Sequence, residues 1–273
     1  GGWRSAAIDC LDRLPAARGS ALRLEQLEEV RGRGLPPVLI RAVLSSVVRH
    51  ADPRTAEILG RYASTELRGS SQFSALTAEG AWLVMALAAN GTSVEPMFSD
   101  TLKLSAATDY PLQTRLNGIR ASRGDDAALA GLVETANVAV EKFLRRDAVD
   151  FLLAMPAARR AKAITAIESR LGDIDGPLRA RLVREISREA ATADAATEKM
   201  LVRAMGDVFP DLRVQAIAGL FDRAAAGTLS VDALAAARGA ADSEKDPLAA
   251  AAFRALFARA AGVAKAPTPE PTK

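Results

Sequence analysis

Apolar positions recur at helical spacing along much of the chain. Ile40, Leu44, Val47 and Val48 line one face of 37–50, Leu178, Leu182 and Ile186 line one face of 177–190, and Leu201, Met205 and Val208 form the stripe of 194–208. The segment 78–89 is apolar nearly all round, with Trp82, Leu83, Val84, Met85 and Leu87, so neighbours are expected to bury it on several sides. No segment sustains an alternation of period two, and the pattern predicts helices without strands.

Proline and glycine punctuate these segments consistently. Pro36, Pro53, Pro111, Pro156, Pro177, Pro210 and Pro247 each precede a periodic apolar stretch. The first helical turn tolerates proline because the missing N–H would have no partner there. Asp52 and Asp246 add a side-chain acceptor just before two of these prolines. Gly69, Gly91, Gly124, Gly172, Gly227 and Gly262 fall at the opposite ends, where a left-handed residue closes a helix at little steric cost.

The helix starts Pro111-Leu112, Pro177-Leu178, Asp211-Leu212 and Pro247-Leu248 are separated by 66, 34 and 36 residues, the first interval being close to two units. A fixed period of this size with two helices per unit marks an α-solenoid. The expected fold is therefore all-α, a stack of roughly seven to eight helical hairpins repeating about every 33 to 36 residues. One helical-repeat domain is expected over 1–262, followed by a Pro-rich extended tail over 263–273. Pro267, Pro269 and Pro271 alternate with polar residues in that tail, a composition expected to stay extended and to lie against a neighbouring subunit.

Within 210–220, Asp211, Arg213, Ala216 and Leu220 occupy the spacing of an acid, an arginine, a small residue and a leucine. This segment resembles the second helix of a HEAT repeat. Residues 176–186 keep Arg179 and Ile186 in the matching slots but carry Leu182 where the small residue belongs; 246–256 keep Asp246, Ala252 and Leu256 but carry Ala249 in place of the arginine. The unit beginning at Pro111 fits poorly. The resemblance implies a HEAT-like helical repeat used as a recognition surface for another protein.

Composition agrees with helix-on-helix packing: aromatic residues make up only 4% of positions while alanine is abundant. The longest apolar run, Ala81 to Ala89, is far shorter than the roughly 20 residues needed to cross a bilayer, so no membrane span is expected. The chain opens Gly1-Gly2-Trp3 without a basic-then-apolar leader, as expected where a signal peptide is absent or already removed. The single cysteine, Cys10, rules out an internal disulfide framework and favours a reducing compartment, either cytoplasm or an organelle matrix.

Catalytic and metal-binding patterns are sought in vain, so the chain is read as a non-enzyme with no cofactor and no metal. His50 is the only histidine, which forbids a site with two histidine ligands; a Cys10–His50 pair is conceivable, but His50 reads better as a cap at its helix end. Gly32-Arg33-Gly34 lacks the third glycine of a dinucleotide loop. Asp173-Ile174-Asp175-Gly176 lacks the later ligands of a calcium loop and reads as a capped turn, Asp125-Asp126 reads as a helix start, and Asn90-Gly91-Thr92 reads as a helix end rather than a glycosylation acceptor.

The net charge is only +3, mildly basic, yet arginine is concentrated on two helices. Arg159, Lys162 and Arg170 oppose Ile164, Ile167 and Leu171, and Arg181, Arg184 and Arg188 oppose Leu182 and Ile186. These six are the candidate partner- or phosphate-binding residues, set against a solvated face with helical pairs such as Arg181 and Glu185. The expected partner is a protein, within a larger complex. The alternative is an RNA- or DNA-binding helical repeat, and a HEAT-like DNA glycosylase is disfavoured because few aromatic residues are present to line an extruded base.

Overall fold

The computed structural model describes residues 37–52, 54–66, 78–91, 109–188 and 194–264, with isolated positions 19, 22, 23, 25 and 26. Cys10, Gly32 to Gly34, Pro36, Pro53, Gly69 and the Pro-rich residues 265–273 lie outside the described residues. Among those described there is no strand. Twelve α-helices follow one another: α1 (Pro37–Arg49), α2 (Thr55–Glu66), α3 (Ala78–Ala89), α4 (Tyr110–Ser122), α5 (Asp126–Val138), α6 (Lys142–Leu153), α7 (Ala157–Glu168), α8 (Gly176–Arg188), α9 (Ala195–Ala204), α10 (Pro210–Ala225), α11 (Val231–Asp242) and α12 (Pro247–Ala264). The chain is thus all-α. No helix among the described residues is long and apolar enough to cross a membrane.

Local chemistry sets the helix ends. Asp109, Asp125, Asp175 and Asp194 each accept a hydrogen bond from the backbone N–H three residues on, as does the Ser230 hydroxyl. Asp246 receives two such bonds, from Leu248 and Ala249. Each cap satisfies a donor that the first turn cannot use internally, worth about 1 kcal/mol. The readings of Asp125 as a helix start and of Asp175 as a capping residue in its turn agree with these bonds.

Gly91, Gly124 and Gly227 take the left-handed conformation, with φ of 81°, 115° and 71°. Two other glycines behave differently from the sequence expectation. Gly172 sits in a 3-10 turn (Leu171–Asp173), and Gly262 lies inside α12, which continues to Ala264. Val208 departs too: α9 ends at Ala204, and Val208 falls in the following loop with 78% of its surface exposed. The stripe of 194–208 fails there because the sharp turn before Pro210 ends the helical period.

The contacts divide the chain into two compact units, Gly1–Ala163 and Ile164–Lys273, the boundary falling within α7. In the first, α1 and α2 pack against α3, α3 against α4, and α4 against both α5 and α6, which also pack on each other. Helix α3 is buried from Ala81 through Leu87, as its apolar character predicts. Trp82 stacks on Phe151 of α6 with ring centroids 4.7 Å apart. Gly118 of α4 makes room for that same ring, since a Cβ there would lie 2.8 Å from it.

In the second unit, α8 packs on α10 and α10 on α12, while α9 packs against α8, α10 and α11, and α11 against α12. Leu182, Val183 and Ile186 of α8, Ala216, Ile217 and Leu220 of α10, and Ala249, Phe253 and Leu256 of α12 form the core. Gly219 lets α10 approach α8 closely: a Cβ on it would meet Ser187 Cα at 3.1 Å. The Ser187 hydroxyl donates to the Gln215 carbonyl at 2.9 Å across the same contact.

Ala216 is fully buried in this interface whereas Ala218, two residues on, is exposed. Ala216→Leu is expected to overpack the interface and lower stability by about 1 to 3 kcal/mol, with Ala218→Leu nearly neutral. Paired thermal melts check this, and equal melts would show that Ala216 does not sit in a packed contact.

Candidate functional site

The six basic residues singled out from the sequence fall into separate settings. In the first unit, Arg159 and Lys162 of α7 converge on Asp126 of α5, at 2.7 Å and 2.5 Å from its two carboxylate oxygens. Arg159 also donates to the Ala121 carbonyl at the end of α4. The two cations therefore tie the start of α5 to α7, and the Lys162 and Arg159 hydrogen bonds hold the exposed Asp126 carboxyl below its ordinary range.

The other four belong to the second unit. Arg170 lies beyond the end of α7 and pairs with Asp173 in the next turn at 2.8 Å. It therefore does not continue the helical row of Arg159 and Lys162. On α8, Glu185 pairs with Arg188 at 2.9 Å. Arg184 is exposed and Arg181 half-buried. Several members of both rows are thus matched by carboxylates of the same chain, and surface ion pairs of this kind contribute little to stability.

A more ordered electrostatic arrangement lies at the starts of α8 and α10. Arg179 is buried and donates through Nη1 to the Ile174 carbonyl at 2.6 Å, in the loop that precedes its own helix. Its Nε lies 2.5 Å from Asp207 Oδ2, in the loop before α10, and the Phe209 ring covers the guanidinium at 5.6 Å. Arg213 repeats the arrangement one unit later. It donates through Nη1 to the Asp207 and Val208 carbonyls of its own preceding loop, and through Nε and Nη2 to the two oxygens of Glu244 at 2.7 Å each, in the loop before α12. Asp207 thus serves both ties, by its carboxylate to Arg179 and by its carbonyl to Arg213. The planar fork of arginine suits this duty, because it presents several donors in fixed directions.

A third buried pair closes the other end of α10. Arg223, near the end of α10, donates through Nε to Glu198 of α9 at 3.0 Å and through Nη2 to the Thr228 carbonyl at 3.1 Å. Glu198 also accepts from the Ser230 backbone N–H, so it links α9, α10 and the cap of α11. Burial pushes the Glu198 carboxyl up, but the Ser230 donors and the Arg223 guanidinium together outweigh it and leave it below the ordinary range. The Glu244 carboxyl is lowered chiefly by the Arg213 hydrogen bonds.

Sequence spacing exposed only part of this: Arg179 and Arg213 stood out in matching slots of 176–186 and 210–220. The acceptors Asp207, Glu244 and Glu198 went unnoticed because two sit in loops and one on α9, at sequence separations from their arginines that follow no fixed period. In each loop tie, and in the Glu198–Arg223 pair, the opposite charges meet each other. Among the described residues, no group of three or more histidine, cysteine, aspartate or glutamate side chains could hold a metal ion. No protein-family model, curated protein or solved structure matches the chain.

The lowered Glu198 and Glu244 carboxyls make stability pH-dependent with a definite sign. A carboxyl whose folded value lies below its unfolded value favours the folded state fully above about pH 4.3, and loses that contribution as pH falls through the folded value. Acid titration followed by circular dichroism should therefore show stability falling below about pH 4, with a shallower fall in Glu198→Gln, which starts less stable. In Arg179→Lys, a single ammonium replaces the fork and cannot reach both carbonyl and carboxylate, so a loss of about 1 to 3 kcal/mol is expected by denaturant titration.

Proposed function

We propose that this chain is a non-enzymatic scaffold or structural subunit, a HEAT-like α-solenoid that holds a protein partner within a larger assembly. The observation that carries the reading is the repeated tie at Arg179 and Arg213, in which equivalent side chains join successive loops one unit apart. The packing of α8 on α10 and α10 on α12, with α9 and α11 beside them, supports the same reading for the second unit. A row of helix pairs repeated in this way builds a long, regular surface, which suits recognition of an extended protein segment better than small-molecule chemistry.

Use of the arginine rows for nucleic acid fits less well, because Arg159, Lys162, Arg170 and Arg188 each already meet a carboxylate. The two uses separate in one experiment. The full chain is purified under native conditions, its copurifying proteins are identified and sized, and its affinity for RNA and DNA is followed against salt. A stoichiometric protein partner retained at moderate salt is the expected result. A partnerless monomer, or nucleic-acid binding that falls steeply with salt, would contradict it.

A further inference from the structure

One side chain ties the corner between α1 and α2 to the end of α3. Asn90 is 6% exposed. Its Oδ1 accepts from the Asp52 backbone N–H and from the Thr55 hydroxyl, each at 2.6 Å, and its Nδ2 donates to the Ala86 carbonyl at 2.7 Å. The residue that follows is Gly91, left-handed, with its N–H turned onto the Ala88 carbonyl at 3.2 Å. An asparagine followed by glycine is the least hindered setting for deamidation, since no side chain impedes the next backbone nitrogen from reaching Cγ. The folded corner opposes that approach twice, by fixing the carboxamide through three hydrogen bonds and by engaging the attacking N–H.

We propose that Asn90-Gly91 is a conformation-gated deamidation site that converts a transient opening of this corner into a permanent one. When the Asp52 and Thr55 contacts part from α3, the Gly91 nitrogen attacks Asn90 Cγ. An N–Cγ bond forms, the Cγ–Nδ2 bond breaks, and Nδ2 leaves as ammonia carrying the proton from the Gly91 nitrogen. Water then opens the resulting succinimide at either of its two carbonyls, giving aspartate or isoaspartate at position 90; no electrons are exchanged with any other group.

Neither product can rebuild the whole tie: aspartate can still accept from Asp52 and Thr55, but its bond to α3 is lost. A carboxylate has no N–H to give to the Ala86 carbonyl, which lies 2.7 Å from the present Nδ2. It also places negative charge at the C-terminal end of α3, where the helix dipole disfavours it. Isoaspartate further lengthens the backbone by one carbon at the turn. Each opening that leads to reaction therefore leaves the corner without its anchor on Ala86 and with a charge that favours the open form.

The test incubates the full chain in mildly alkaline buffer and follows deamidation at position 90 by peptide mass spectrometry, natively and in denaturant. Reaction in the native protein is expected to be about tenfold or more slower than in the denatured chain, because the corner must first open. Thr55→Val should bring the native rate towards the denatured one, and Thr55→Ser, which keeps the hydroxyl, should leave it near wild type. Independently of these variants, Asn90→Asp should speed hydrogen exchange of the Asp52 amide in the folded protein. Equal native and denatured rates would overturn the proposal, as would absence of reaction at position 90 in the denatured chain or unchanged Asp52 exchange in Asn90→Asp.

Discussion

At the start of α8 and again at the start of α10, a guanidinium faces the carbonyls of the loop it has just left and a carboxylate 28 or 31 residues further on. Each arginine satisfies backbone acceptors of the loop before its helix, and each reaches a carboxylate in a later loop, before α10 or before α12. The two ties share Asp207. These ties lie beside apolar contacts of two kinds, large side chains where α8, α10 and α12 meet and alanines alone on α11. Helix α11 buries only Ala233 and Ala237 among its residues, and α12 buries Ala249, Phe253 and Leu256. Alanine methyl groups resemble one another from turn to turn, so such a contact is weakly specific for register. A buried ion pair adds little net stability but strongly penalises arrangements that leave either partner alone.

The first unit reaches specificity by another route. Its centre is α3, apolar on every side, with Trp82 stacked on Phe151 and Gly118 hollowing out α4 beneath the same ring. Shape complementarity of large rings fixes position there, and core interiors of this kind tolerate little change of volume. Polar groups act at its margins, where Asn90 closes one corner and Asp126 receives the two cations of α7. The two units thus differ in how they are held: one by aromatic packing, the other by arginine bridges beside an aliphatic core.

Helix type and most helix starts were legible in the sequence, because they depend on local chemistry. The prolines at 111, 177, 210 and 247 and the capping aspartates act within one turn of where they stand, and a reader of the chain meets them directly. Ends were less legible. Glycine permits a left-handed stop without requiring it, and so Gly262 runs on inside α12 while Gly227 closes α10. The basic rows were legible as charge but not as chemistry, since their acceptors, Asp126 and Asp173, were read separately as turn and cap residues. Least visible were Asp207, Glu198 and Glu244. Their significance comes from loops brought together by folding, at separations that follow no fixed period.

Arg213 and Glu244 are held to act as one coupled bridge from the start of α10 to the loop before α12. A double-mutant cycle in the full chain tests it most directly, with Arg213→Met, Glu244→Gln and the pair measured by denaturant titration. A coupling energy of about 1 to 3 kcal/mol is predicted, each single change costing more than its share because it strands the other charge. Additive effects within about 0.3 to 0.5 kcal/mol would contradict the account.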